Sequence, residues 1–415
     1  MSILSSRLSC GVPLIVEHMP SAKSGAIAWM LPVGAAHDPI DRQGLASMLS
    51  ELIFRGAGSL DSRAQADAMD AVGLSRSSST GMVYIRLTAI CIGRDLGRAL
   101  ELLTDIVRRP RFEAASIEPT RELALQSLAG LRDDPAHFAG TLLTERHNTL
   151  PYNRTGLGDE AGLRAISRDD IVHAWARCVR PESSIIAVAG DADGEAIQEQ
   201  LEEQLSDWQG AHPEPVLSPN PARGSTHHET EDSSQVHIYA AHDAPAENSK
   251  DAIFERITLA VLSGGSSSRL FSEVREKRGL CYSVSASYSA DKHFGRVVAY
   301  VGTTPERAQQ SLDVLSEQMA LINSGVGKVT QEELDRAVIG FKSSLVFSGE
   351  STGARAMSLA LDQHRIGHPR SLEEMSAQID LVTLDQLNEY LTRRETGPVT
   401  LVTLGPAELQ RPANL

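Results

Sequence analysis

The stretch Gly44-Leu-Ala-Ser-Met-Leu-Ser-Glu-Leu-Ile-Phe-Arg-Gly56 reads as a helix from about Gly44 to Phe54, its apolar residues recurring at helical spacing between two glycines. Upstream, Leu14–Glu17 and Gly25–Gly34 read as short strands bounded by glycine and proline. Downstream, a helix begins near Ser62, where Asp61 or Ser62 can cap it, and runs to Ala71. Val83–Ile92 is the clearest strand of this half. Helices at about 95–107 and 113–132 follow, the second ending before Asp134-Pro135. An irregular stretch then leads to Ile185-Ile-Ala-Val-Ala-Gly190, a strand apolar enough to be buried on both faces.

Between Gly210 and Ser234 the texture changes to prolines, glycines and polar residues, the composition of a solvated linker. His227, His228, Glu229 and Glu231 lie in it and could bind a metal in principle, but a linker has nothing to fix their geometry. Past it the pattern restarts, with strands at 236–240, 282–288 and 295–301. Helices are expected at 250–262, 268–277, 305–323, 330–346 and 352–363, and Thr400–Leu404 closes this half as Ile185–Gly190 closes the first. The repeated order of elements indicates an internally duplicated α+β protein of two homologous domains, each a mostly antiparallel mixed sheet with helices packed on it. The expected division is 1–207, a linker at 208–234, and 235–415.

The 415 residues are 41% apolar and 22% charged, which suits two domains that each bury a core. The formal charge is −15, with 20 basic against 28 acidic side chains in residues 1–207 and 19 against 26 in the rest. That even deficit argues against nucleic acid, whose phosphates call for clustered Lys and Arg. Cys10, Cys91, Cys178 and Cys281 form no metal-ligand spacing and read as free thiols of a reducing compartment. Arg7, Pro13, Glu17 and His18 interrupt any signal-peptide pattern, and no apolar run reaches membrane-spanning length. A cytoplasmic location with no membrane partner is the expectation.

The helix at 44–56 resembles the zinc-site helix of the pitrilysin/insulinase superfamily, which includes mitochondrial processing peptidase and bacterial relatives. There an inverted HxxEH motif lies between a Gly-Leu-Ala start and a Phe-(Lys/Arg)-Gly end. The resemblance continues through Val33-Gly34, Arg132-Asp-Asp-Pro135, Asn153-Arg-Thr-Gly-Leu-Gly158, Arg180-Pro181, Val188-Ala-Gly-Asp191 and Ser268–Ser283. It implies that each domain is half of a processing-peptidase-like clam-shell.

The same resemblance implies that the zinc chemistry is lost. The first His of the motif falls on Ser47, the Glu on Ser50 and the second His on Glu51, while the register set by Pro135 puts Ser127 at the third ligand position. A catalytic zinc wants three imidazole or carboxylate ligands and an open water position. Two serines and one carboxylate offer a single good ligand, and no base stands at position 50 to take a proton from water. No metal in this chain and no peptidase activity of the chain alone are expected. Ser47 and Ser50 lack a Gly-x-Ser-x-Gly elbow and a visible activating His, so they read as helix packing or capping rather than nucleophiles. His364 and His368, four residues apart, would share a helical face, but Gly367 and Pro369 mark a helix end between and after them.

Ser268–Val284 resembles the family's Arg/Tyr segment, with Arg275 on a helix and Tyr282 seven residues on at a strand start. The resemblance implies that these two hydrogen-bond a bound peptide and stabilise the oxyanion formed at zinc. As a bland alternative, Arg275-Glu-Lys-Arg278 is an exposed helix end with cations at its C-terminal dipole. Pairing of unlike subunits is known in the superfamily, one chain with zinc and the other without. The chain therefore reads as the zinc-less subunit of a heterodimeric metallopeptidase: zinc is the partner's cofactor, Arg275 and Tyr282 act on the partner's site, and the substrate is a peptide or unfolded protein. The alternative is a peptide-binding or structural scaffold of the same fold with no part in proteolysis, as the core subunits of respiratory cytochrome complexes resemble peptidases without acting as such.

Overall fold

The computed structural model describes residues 2–212, 214–218, 223–323 and 326–415. Six strands form the first sheet: β1 (Ser2–Arg7), β2 (Pro13–His18), β3 (Ser24–Leu31), β4 (Ser75–Thr80), β5 (Ile85–Ile92) and β6 (Ile185–Gly190). Their order is β1-β2-β6-β3-β5-β4, with β2 and β6 parallel and every other pair antiparallel. The wholly apolar β6 lies in the middle of the sheet, buried at all six positions, as its unbroken run requires. β5, towards the edge, alternates buried and half-buried residues.

The second sheet repeats this plan. β7 (Thr226–Thr230), β8 (Val236–Ala244), β9 (Cys281–Ala290), β10 (Gly295–Thr303) and β11 (Thr400–Gly405) lie in the order β7-β11-β8-β10-β9. Again one pair, β7 with β11, is parallel and the rest are antiparallel. Strand for strand this is the order β2-β6-β3-β5-β4, so the duplication inferred from element order holds in the topology. The two central strands even end alike. Gly190 (φ 141°) and Gly405 (φ 159°) have left-handed-side φ values, and a Cβ would come within 2.3 Å of the Ser24 carbonyl at the first and 2.8 Å of a Val236 methyl at the second.

The expectation that Gly210–Ser234 is solvated throughout is corrected by β7, which pairs in parallel with β11 from Thr226 to Thr230. Residues 213 and 219–222 of that stretch lie outside the described residues. The irregular stretch after Asp134 is likewise corrected: it holds helices Pro135–His147, Glu160–Ala165 and Arg168–Cys178. The first starts at an Asp134 cap that accepts from the His137 N–H, with Pro135 at its first position.

Two compact units divide the chain, and each draws on both halves of the sequence. One comprises Met1–Gly130, Leu150–Ser218 and Phe347–Ser371; the other Leu131–Thr149, Pro219–Val346 and Leu372–Leu415. The reason is a reciprocal exchange of helices. Helix Thr352–Ile366, late in the sequence, packs on β3 and β6 of the first sheet, and helix Pro135–His147, from the first half, packs on β8 and β11 of the second.

In the first unit the exchanged helix is fixed by a buried ion pair. Arg355 (2% exposed) bonds through Nε to Glu17 of β2 (0% exposed), and its Nη2 donates to the Arg370 carbonyl at 2.5 Å. Arg370 in turn forks onto Asp362 at 2.6 and 2.9 Å. Register identifies the counterpart in the second unit. Glu17 lies opposite Ala189, one residue before Gly190, and Glu229 of β7 lies opposite Leu404, one before Gly405. Glu229 meets Arg132 at 3.7 Å, just ahead of the other exchanged helix, and this pair is partly solvated.

Burial predicts unequal costs for breaking the two pairs. Arg355→Ala strands a buried carboxylate and should cost about 3–5 kcal/mol, whereas Arg132→Ala should cost about 0–1 kcal/mol. Glu17→Leu combined with Arg355→Met should regain most of the first loss. Urea midpoints of the four proteins measure this, and equal midpoints for Arg355→Ala and wild type would show that the buried pair does not hold the helix.

Candidate functional site

In the first unit the helix Leu45–Leu52 is set by Asp38, a buried carboxylate whose two oxygens accept from the Gly44 N–H at 2.9 Å and the Ala46 N–H at 3.0 Å. From its other side β4 reaches in, the Ser78 hydroxyl donating to the Ser50 carbonyl at 2.7 Å and that of Thr80 to the Ala46 carbonyl at 3.3 Å. The helix Ala114–Gly130, which bears Ser127, packs against it. Ser50 is 6% exposed and Ser47 half-buried; Glu51 and Ser127 face solvent. The Ser127 hydroxyl turns back on its own helix, donating to the Leu123 carbonyl at 2.9 Å. Among the described residues, no three His, Cys, Asp or Glu side chains converge in a way that could hold a metal ion. Among the described residues no hydrogen bond joins Ser47 or Ser50 to an imidazole, the arrangement an activated hydroxyl nucleophile uses.

A cluster in the second unit carries no motif in the sequence. His147, at the end of its exchanged helix, shares a hydrogen bond of 3.0 Å with the Thr400 hydroxyl through Nδ1 and faces an Asp243 oxygen at 3.6 Å through Nε2. Arg223 also holds Asp243, at 2.6 Å. Thr-His-Asp in this order resembles a nucleophile, base and orienter, but Thr400 is 0% exposed at the head of a central strand and also accepts from the Gly224 N–H. No substrate carbonyl can reach it, so the cluster is structural. Only residues 147, 223, 243 and 400 taken together reveal it, and their separation in sequence hides it.

The other histidine candidates resolve simply. His227 and His228 lie on β7; His228 bonds the Thr403 hydroxyl at 3.0 Å and His227 faces Glu229 at 3.5 Å. His364 lies in helix Thr352–Ile366 and meets the Tyr84 hydroxyl at 3.2 Å, while Gly367 ends the helix in a left-handed turn before His368. The helical i,i+4 relation is therefore broken, as the glycine indicated.

Arg275 and Tyr282 are brought together. Helix 268–277 is expected to be ordinary, but Phe271–Glu276 is a π-helical turn in which the Lys277 N–H reaches back five residues to the Ser272 carbonyl at 2.9 Å. The chain then turns through Gly279, whose N–H bonds the Arg275 carbonyl, while the Leu280 N–H bonds that of Val274. Tyr282 follows at the start of β9, the edge strand, with 86% of its surface exposed. The guanidinium of Arg275 lies 5.5 Å from the Tyr282 ring centroid and 4.8 Å from that of Phe271. Its neighbours Lys277 and Arg278 are both bound by Glu273, at 2.5 and 2.6 Å. Among the described residues Arg275 has no ion-pair partner. An unpaired guanidinium and a free phenol side by side form a donor pair open to a carbonyl, carboxylate or oxyanion.

Burial pushes the Asp38 carboxyl up to about 7, against the pull of the Gly44 and Ala46 N–H groups and of Arg154. Because this value lies above that of an unfolded Asp, the carboxyl supports the fold fully only below about pH 4, and its contribution is lost as pH rises towards 7. Urea stability of wild type should therefore fall over that range relative to Asp38→Asn. A difference between the two proteins that stays constant from pH 4 to 8 would contradict it.

Two family descriptions match the sequence, "Insulinase (Peptidase family M16)" over residues 14–157 and "Peptidase M16 inactive domain" over 165–341. An uncharacterized zinc protease of Mycobacterium leprae is 26% identical, covering 97% of this chain and 92% of its own. The crystal structure of a peptidase M16 inactive domain from Pseudomonas fluorescens superposes with a TM-score of 0.89 at 20% identity, over 99% of this chain and 100% of that one. A chain of Complex III2 from Candida albicans gives a TM-score of 0.84 at 16% identity, over 100% and 99%. Among the described residues no helix is long and apolar enough to cross a membrane. On the two family matches the chain belongs to the pitrilysin/insulinase family, peptidase family M16.

Proposed function

We propose that this chain is the zinc-less subunit of a heterodimeric zinc metallopeptidase, lending Arg275 and Tyr282 to the site of a zinc-bearing homologue. One observation carries the reading: among the described residues the exposed Arg275 and Tyr282 lie together and Arg275 has no ion-pair partner. The zinc-ligand positions that the family resemblance assigns fall on serines and one solvated carboxylate, which agrees with it. Within such a pair the partner's zinc would activate water. This chain's guanidinium and phenol would bind the peptide backbone and the negative charge that develops on the attacked carbonyl. The substrate class is an extended peptide or unfolded protein, which can add a strand to a sheet edge. The −15 charge of the chain favours basic peptides.

The test is peptide hydrolysis by the chain mixed with a homologue that has an intact HxxEH helix. Arg275→Ala or Tyr282→Phe should each lower kcat by about 10²-fold, the usual cost of one oxyanion donor. Full activity of the homologue alone would sink the proposal. A likeness to a Complex III2 chain supports the second reading, a scaffold of the same fold, and an unchanged rate with both variants would favour it.

The chain alone should also bind less than stoichiometric zinc after dialysis against micromolar zinc, measured by elemental analysis. One zinc per chain would mean that Ser47, Ser50, Glu51 and Ser127 do not describe its metal chemistry.

A further inference from the structure

Arg275 is a long side chain at the exposed end of a helix, where such a group ordinarily samples many rotamers and loses entropy when a ligand fixes it. Two features of its surroundings oppose that freedom. Phe271, four residues earlier on the same side of the π-helical turn, places its ring centroid 4.8 Å from the guanidinium, closer than Tyr282 at 5.5 Å. Phe271 is itself half-buried, so its ring is better anchored than that of the exposed Tyr282. Glu273, in the same turn, is occupied by Lys277 and Arg278, and the Arg278 Nη1 also donates to the Glu273 carbonyl at 2.8 Å. Glu273 is therefore engaged by the two cations that follow, and among the described residues Arg275 has no ion-pair partner and lies against the two rings.

We infer that Phe271 is a positioning residue, its ring holding the Arg275 guanidinium against the Tyr282 ring so that the guanidinium is in place next to the tyrosine before a substrate arrives. A ring attracts the cation through its face and leaves the N–H edges of the guanidinium free, which an aspartate or glutamate in the same place would occupy. Aromatic contact thus holds this arginine without occupying its hydrogen-bond donors. The inference rests on the proposed role of Arg275, and it predicts an effect on alignment rather than on the presence of the charge.

Phe271→Leu keeps an apolar anchor and removes the ring; Phe271→Tyr keeps the ring. In the chain labelled with ¹⁵N-arginine, the Arg275 Nε–H resonance, identified by its loss in Arg275→Lys, should be ring-current shifted in wild type and in Phe271→Tyr. It should move towards the exposed-arginine position in Phe271→Leu. In the hydrolysis assay with the zinc-bearing homologue, Phe271→Leu should lower kcat about two- to five-fold, the range set by an exposed cation–π contact, and Phe271→Tyr should restore it. An unshifted resonance in wild type, or one indifferent to Phe271→Leu, overturns the inference. So does a Phe271→Leu rate equal to wild type in a mixture where Arg275→Ala is strongly impaired. If Arg275→Ala is itself without effect while the resonance behaves as expected, the positioning stands and it is the assigned role of Arg275 that fails.

Discussion

The Glu17–Arg355 pair joins two buried charges 338 residues apart in sequence. It is the point at which a helix from the second half of the chain is locked to a sheet built from the first. Burying two charges is unfavourable unless each finds its counterpart, so any packing of helix Thr352–Ile366 that separates them is penalised. The pair thereby selects one seating of the helix among the sliding alternatives that apolar contact alone would allow. Glu229 and Arg132 repeat the arrangement at the same register in the other sheet, but in partial contact with water, where the same chemistry is far weaker. Duplication kept the position of the carboxylate and changed the dielectric around it.

Much of the fold was legible because its central strands are extreme. Ile185–Gly190 is apolar at every position, and Thr400–Leu404 stands at the corresponding end of the second half, so both could be recognised without partners. Edge elements were not. β4, Ser75-Arg-Ser-Ser-Ser-Thr80, has no apolar residue and is a strand only because β5 pairs with it and its hydroxyls reach the helix Leu45–Leu52. β7, Thr226-His-His-Glu-Thr230, is equally polar and has the composition of a linker, and it is a strand because β11 pairs with it. The buried Phe138, Ala139, Leu142 and Leu143 of helix Pro135–His147 share one face, but the polar Arg146 and His147 continue it, so its apolar signal in the sequence is weak. Its Asp134-Pro135 start was the available signal. The exchange of helices could not have been read at all, since sequence order carries no information on which sheet a helix covers.

The site was legible to a different degree. Its residue types at positions 47, 50, 51 and 127 are a matter of register within two helices, and the structure packs those helices together. What the sequence could not show is the setting of Arg275. Arg275-Glu-Lys-Arg278 looks like three equivalent cations, and only the turn geometry sorts them, giving two to Glu273 and one to Phe271 and Tyr282. The π-helical turn has no sequence signature comparable to a cap or a proline.

The fold around Ser47, Ser50 and Glu51 does not depend on those three side chains, as the way their helix is held shows. The N-terminus is fixed by the Asp38 carboxylate on the Gly44 and Ala46 N–H groups, and the body by the Ser78 and Thr80 hydroxyls on backbone carbonyls. Its inward residues Leu45, Met48, Leu49 and Leu52 belong to the core. None of these contacts uses the side chain of Ser47, Ser50 or Glu51. A metal site built on such a helix is a passenger on a frame that stands without it, and mutation can remove the ligands at little cost to stability. The Arg275 segment is bound to its surroundings differently: the turn through Gly279, the charges sorted by Glu273 and the ring of Phe271 all converge on presenting one guanidinium. Physical constraint is thus concentrated where the chain presents its donor pair.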